Sequence, residues 1–110
     1  MKIVDEIINQ TGLLKLTGRL DASAVKILKE NVDLLIKKDI KSIVLEMSEV
    51  DFVDSSGLGS LVSCLRLVNK ENGDIKLASL QSQIRGLLEL TRLHRVFQIY
   101  DDCDSAIKSF

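Results

Sequence analysis

Ile43-Val44-Leu45, followed by Val50-Asp51-Phe52-Val53-Asp54-Ser55-Ser56-Gly57-Leu58-Gly59-Ser60, is the stretch whose reading decides the fold. The triplet is short, β-branched and unalternated, which suits a strand covered on both faces by helices. Beyond it, Leu58, Leu61, Val62, Leu65 and Val68 recur at intervals of three and four and predict a helix from about 56 to 72. The segment from Val50 to Ser60 then links a central strand to a helix. A strand feeding a helix in this way is the repeating unit of layered α/β domains.

Working outward, the same signals recur on both sides. Upstream, Val25, Leu28, Val32, Leu35 and Ile36 form one face of an expected helix over 22–38, with Lys26, Lys29, Glu30, Asp33 and Lys37 opposite and Asp21 placed as N-cap. Before it, runs at 2–10 and 13–18 predict two strands joined by a tight turn at Thr11-Gly12. Downstream, Asn72-Gly73-Asp74 predicts a left-handed glycine stop, and 75–78 a short strand. A helix follows over 81–93, with Ile84, Leu87, Leu88 and Thr91 on one face despite Gly86, and then a strand over 96–100. Asp101-Asp102 caps a last helix ending near Lys108, with Ala106 and Ile107 turned inward. The order β-β-α-β-α-β-α-β-α predicts an α/β fold, a small, mainly parallel sheet with flanking helices, as one domain over 1–110.

Composition agrees and excludes several functions. A chain of 110 residues, 45% hydrophobic and 28% charged, has room for one core, burying roughly 60–70% of its unfolded surface. With a net charge of −1 and only four aromatics (Phe52, Phe97, Tyr100, Phe110), it lacks the basic excess and stacking platforms of a nucleic-acid binder. No apolar run exceeds three residues, so no membrane span is expected. Asp5 and Glu6 break any targeting pattern near the start, and a cytoplasmic location is expected. Cys64 and Cys103 have neither CxxC spacing nor a nearby histidine, which points to reduced structural thiols rather than a zinc site.

In open α/β sheets, ligands gather beyond the carboxyl ends of the strands, which directs attention to the segment 50–60. There an aspartate, two hydroxyls and two glycines converge on a helix start. Its unpaired N–H groups, which Asp54 or Ser55 can cap, and the positive end of the helix dipole make a seat for an anion, including a phosphate carried on a serine. Gly57 and Gly59 leave room for another backbone or a phosphate. An ordinary N-cap cluster with packing glycines explains the same residues. Between Lys41 and Arg66 there is no base, yet Glu46, Glu49, Asp51 and Asp54 all lie there, so a phosphate on Ser55 has no sequence-local cation to pair with.

Catalytic patterns fit poorly. Neither Ser55 nor Ser56 has the glycine two residues earlier that a nucleophile elbow needs. The Walker loop and the dinucleotide glycine pattern are absent, and the lone His94 reads as surface or packing. No catalytic residue, cofactor or metal ligand set is expected.

Asp54-Ser55-Ser56-Gly57-Leu58-Gly59 after a strand, Gly18-Arg19-Leu20-Asp21-Ala22 before the first long helix, and Leu90-Thr91-x-Leu93 followed by Val96-Phe97 together resemble the STAS domain. More narrowly, the chain resembles bacterial anti-sigma factor antagonists, over nearly its whole length. The resemblance implies a protein that binds an anti-sigma factor, itself a serine kinase, and so frees a sigma factor. It implies that this kinase phosphorylates the serine directly after the aspartate, Ser55, with Ser56 the nearest competitor, and that a metal-dependent serine phosphatase restores the complex. It further implies a partner-facing surface containing Asp21, Asp54, Ser56 and Gly57. Arg92 departs from the glycine many relatives carry in the Leu-Thr-Gly-Leu segment, which puts the local turn in question.

The switch so implied is electrostatic: phosphorylation adds about −1.5 to −2 charge to a near-neutral domain at the start of one helix. The fold tolerates it, and partner affinity falls. The alternative from the same resemblance is a STAS structural subunit of a signalling or transport assembly whose serine is never phosphorylated.

Overall fold

The computed structural model describes residues 1–110. Five strands lie side by side in chain order: β1 (Lys2–Ile8), β2 (Thr11–Leu20), β3 (Ser42–Val53), β4 (Asp74–Ala78) and β5 (Gln98–Tyr100). β1 and β2 pair antiparallel, and every later pair is parallel. The crossovers are made by α1 (Val25–Lys37), α2 (Ser55–Lys70) and α3 (Ser82–Leu90), and α4 (Cys103–Lys108) closes the chain. The element order is the expected one.

Alternation along the strands divides the core in two. Leu14, Leu16, Ile43, Leu45, Ile75 and Leu77 face the buried stripes of α1 (Leu28, Val32, Leu35) and α2 (Leu61, Cys64, Leu65, Val68), with Ile84 and Leu88 of α3 and Phe97 completing one large cluster. On the other face α4 lays Ala106 over Leu13, Val44 and Ala78. The triplet 43–45 is thus covered from both sides, as its unalternated pattern predicts. Burying each such Leu or Ile contributes about 1.5–3 kcal/mol against exposure, and this packing rather than helix propensity holds the layers together.

Several boundaries differ from expectation, each for a local reason. The β1–β2 turn is Asn9-Gln10, both left-handed (φ 49 and 67), while Thr11 and Gly12 pair with Ile8 and Ile7 inside the hairpin. A two-residue hairpin turn of this hand matches the strand twist, and asparagine tolerates it well. β3 does not stop near Leu45 but runs to Val53. Register slips opposite Lys15/Thr17 and Gly18/Arg19 move its buried positions from Ile43, Leu45 and Met47 to Val50 and Val53, so no single alternation spans the strand. At the end of α2 the left-handed residue is Asn72 (φ 64), not Gly73. Gly73 is needed for space, since a Cβ there would stand 2.2 Å from the Lys41 carbonyl oxygen.

α3 ends at Leu90, three residues early, and Thr91 is exposed instead of sharing the core face. Its hydroxyl donates to the Leu87 carbonyl, 2.9 Å away. Arg92 takes the left-handed conformation (φ 63, ψ 13) that glycine adopts freely, so the turn survives the substitution at a cost of about 1 kcal/mol. Val96 and Phe97 belong to this turn rather than to β5, with Phe97 buried and Val96 half exposed.

Candidate functional site at the β3–α2 junction

Strand pairing builds the site. Leu20 stands opposite Val53 at the carboxyl ends of β2 and β3, so the residues that follow, Asp21 and Asp54, emerge side by side. The Asp54 N–H donates to the Leu20 carbonyl at 3.4 Å. Asp54, not Ser55, is the N-cap of α2: its backbone is extended (φ −108, ψ −172), and Oδ1 accepts from the Gly57 N–H at 2.9 Å. Its carbonyl also accepts the Leu58 N–H at 2.9 Å. Ser55 and Ser56 therefore open the helix in its first turn, and both are exposed. Ser60, one turn on, is buried, and its hydroxyl donates to the Gly57 carbonyl at 2.7 Å.

The two glycines play different parts. Gly57, expected on the partner-facing surface, is buried, and a Cβ there would come within 1.9 Å of the Leu20 carbonyl oxygen. Its missing side chain lets the start of α2 lie directly on the end of β2. Gly59 is exposed with open space where its Cβ would be. The room expected from the pair comes from a single residue, and a backbone rather than a ligand fills it.

Asp21, expected as N-cap of a helix over 22–38, caps instead the 3-10 turn Ala22–Ala24; α1 starts only at Val25, and its own N-cap, Ala24, makes no side-chain cap bond. Asp21 Oδ1 accepts from both the N–H (3.0 Å) and the hydroxyl (2.5 Å) of Ser23, and Oδ2 lies 3.5 Å from Arg19 Nε. The Ser23 hydroxyl above all, with the Ser23 N–H and Arg19, holds this carboxyl below the ordinary carboxylate range. Arg19 also spreads over the Phe52 ring, 3.8 Å from its centroid. These two residues pair across β2 and β3 but are 33 positions apart in sequence (52 − 19), which is why the motif around Asp21 does not reveal the stack.

The surface so formed is not a pocket. None of residues 19–23 or 51–60 lines any of the four depressions in the molecule. The largest, about 640 Å³, lies between α3 and β5 against Arg85, His94 and Tyr100. Small-molecule sites are concave and bury most of their ligand, whereas exposed hydroxyls beside two carboxylates on an open strand-end surface suit contact with another protein. No group of three or more His, Cys, Asp or Glu side chains is placed to hold a metal ion. Burial pushes the Cys64 thiol up to about 11 and raises that of Cys103, leaving neither poised as a nucleophile. No helix is long and apolar enough to cross a membrane.

Comparison with known proteins bears on this geometry directly. The family model of the STAS domain matches residues 2–106. An anti-sigma F factor antagonist of Paenibacillus polymyxa is 28% identical over 105 residues, covering 93% of this chain and 90% of the relative. The crystal structure of a Thermotoga maritima protein superposes with a TM-score of 0.89 at 26% identity, over 97% of this chain and 92% of that one. The phosphorylated form of the Bacillus cell fate determinant SpoIIAA superposes with a TM-score of 0.76 at 21% identity, over 98% of each chain. With the β-β-α-β-α-β-α-β-α order, the mostly parallel sheet and the Asp-Ser-Ser-Gly start of α2, these matches establish that the chain belongs to the STAS domain family, as a homologue of anti-sigma factor antagonists.

Proposed function

We propose that this protein is a phosphorylation-switched anti-sigma factor antagonist. It docks an anti-sigma factor on the surface made by Asp21, Asp54, Ser55 and Ser56 and thereby releases a sigma factor. The observation that carries the reading is the position of Ser55: exposed, first in α2, directly after the capping Asp54, which emerges beside Asp21 at the end of the neighbouring strand. In the switching step the Ser55 hydroxyl attacks the γ-phosphorus of ATP bound to the anti-sigma kinase. The phosphoryl group transfers to Oγ, ADP leaves, and the hydroxyl proton is released. A serine phosphatase hydrolyses the ester and restores the free hydroxyl.

The fold accommodates the phosphate because it sits where a helix favours an anion. The interface does not, because a dianion and its bulk replace the neutral hydroxyl directly after the Asp54 carboxylate. A chain that only binds and is modified needs no catalytic group of its own, and it acts as a regulator rather than an enzyme. The test is mass spectrometry after incubation with a candidate anti-sigma kinase and ATP. One added phosphate is expected on the peptide around Ser55, lost in Ser55→Ala. Phosphate on neither Ser55 nor Ser56 would overturn the reading in favour of an unmodified structural subunit.

A further inference from the structure

Residues 42–65 carry four acids (Glu46, Glu49, Asp51, Asp54) and no base, so a phosphate on Ser55 has no cation nearby along the chain. Tertiary structure supplies one. Arg19 stands opposite Phe52, and the next residue, Leu20, is the one whose carbonyl receives the Asp54 N–H and abuts Gly57. Arg19 alternates with buried Leu20 along the strand, and its guanidinium reaches forward to Asp21, the residue that emerges beside Asp54. Among residues 19–23 and 49–60, which build the site, it is the sole cation. Its side chain is 61% exposed and is held by a ring stack at 3.8 Å and an ion pair at 3.5 Å. Both contacts are weak at a solvated surface and leave the guanidinium free to exchange partners.

We propose that Arg19 is the internal receptor of the Ser55 phosphate: on phosphorylation its guanidinium leaves Asp21 and pairs with the phosphoryl oxygens, so the switch adds charge at Ser55 and uncovers the Asp21 carboxylate. The inference rests on the phosphorylation of Ser55 proposed above and names how that event is read within the molecule. The exchange is favourable in direction. A phosphate carries more charge than a carboxylate and offers three acceptor oxygens to a fork that can bind two at once. Asp21 is not stranded, because the N–H and hydroxyl of Ser23 continue to donate to it. Asp54, directly before Ser55, repels the phosphate, and the next cation at this end of the sheet, Lys2 opposite Thr17, stands two residues further back along β2 than Arg19. An anti-sigma factor then meets two altered points rather than one.

The experiment places phosphoserine at position 55 during synthesis, with no kinase involved, and follows the phosphorus NMR shift against pH. An adjacent guanidinium favours the dianion, so Arg19→Gln should raise the midpoint of the second phosphate ionisation by about half a pH unit or more, and Arg19→Lys by less. The difference should shrink in 1 M salt. Equal midpoints in wild type and Arg19→Gln would overturn the proposal. If Arg19→Gln folds poorly, as its thermal midpoint would reveal, the salt dependence of the wild-type midpoint and the Arg19→Lys value decide instead. A protein that no kinase phosphorylates at Ser55 would refute the proposed function while leaving this measurement intact.

Discussion

The helices α2 and α4 begin alike and differ in what surrounds the beginning. Each has an aspartate cap on extended backbone, Asp54 or Asp102, whose Oδ1 accepts the N–H three residues on: Gly57 at 2.9 Å in α2, Ser105 at 2.7 Å in α4. Each presents exposed serine in its first turn. Yet Gly57 is buried under the Leu20 carbonyl, which ties the start of α2 to the end of β2 and brings in Asp21 and Arg19. At the start of α4, Cys103 and Asp104 line a depression with Glu6, Lys15 and Glu46, but the Asp102 N–H makes no backbone hydrogen bond to a strand, and the one buried residue of the helix is Ala106. Cap chemistry is local and common; what sets α2 apart is a strand-end backbone locked against its cap.

The sharpest way to break this comparison is to fill the contact that distinguishes the two helices. Gly57→Val drives a side chain into the Leu20 backbone and should cost about 2–3 kcal/mol or more in urea unfolding, whereas Ser105→Val in α4 should cost well under 1 kcal/mol. A wild-type midpoint for Gly57→Val would mean that the two segments are not locked together. Next in size is binding. Ser55→Asp should weaken association with the anti-sigma factor at least tenfold by calorimetry, equivalent to about 1.4 kcal/mol, while Ser105→Asp leaves it unchanged. Equal losses from both would erase the difference between the helices.

Removing the caps tests what the two starts share. Asp54→Ala should lower stability by about 1 kcal/mol in thermal unfolding. Asp102→Ala should lower it less, because a helix from Cys103 to Lys108 can fray alone. The smallest effect is on acid response. The Ser105 N–H and hydroxyl hold the Asp102 carboxyl below its ordinary value of 3.8. A depressed carboxylate stabilises the fold above that value and loses its contribution as pH falls through the lower, folded one. The protection of the Ser105 amide, measured against its intrinsic exchange rate at each pH, should therefore fall below about pH 4 in wild type and stay level in Asp102→Asn. Unchanged pH dependence in the variant would show that the cap bond is not formed in solution.

Much of this architecture was legible because it depends on neighbours in sequence. The stripes Leu28-Val32-Leu35 and Leu61-Leu65-Val68 follow the helical period and are buried as that period requires. Asp21, Asp54 and Asp102 cap because an aspartate before a helix can reach back to its N–H groups. Boundaries shifted where a distant strand set the rule: the slips in β2 carried β3 eight residues past the triplet to Val53 (53 − 45), and the pairing of Thr11 with Ser42 and of Gly12 with Ile43 drew both residues of the expected turn into β2. The site divided the same way. Ser55 and Asp54 are adjacent along the chain, but the stack of Arg19 on Phe52 exists only through strand pairing.

By itself the sequence determined the order of elements, the mainly parallel sheet and the hydroxyl that opens α2, since periodicity, capping and chain connectivity are local properties. Only the tertiary structure decided that Gly57 is a contact between backbones, that Asp21 and Asp54 emerge together, and that a cation stands beside a stretch with none of its own. The physical reason is that a parallel sheet joins segments separated by a whole helix, so the neighbours of a strand end are set by register across the sheet and not by distance along the chain.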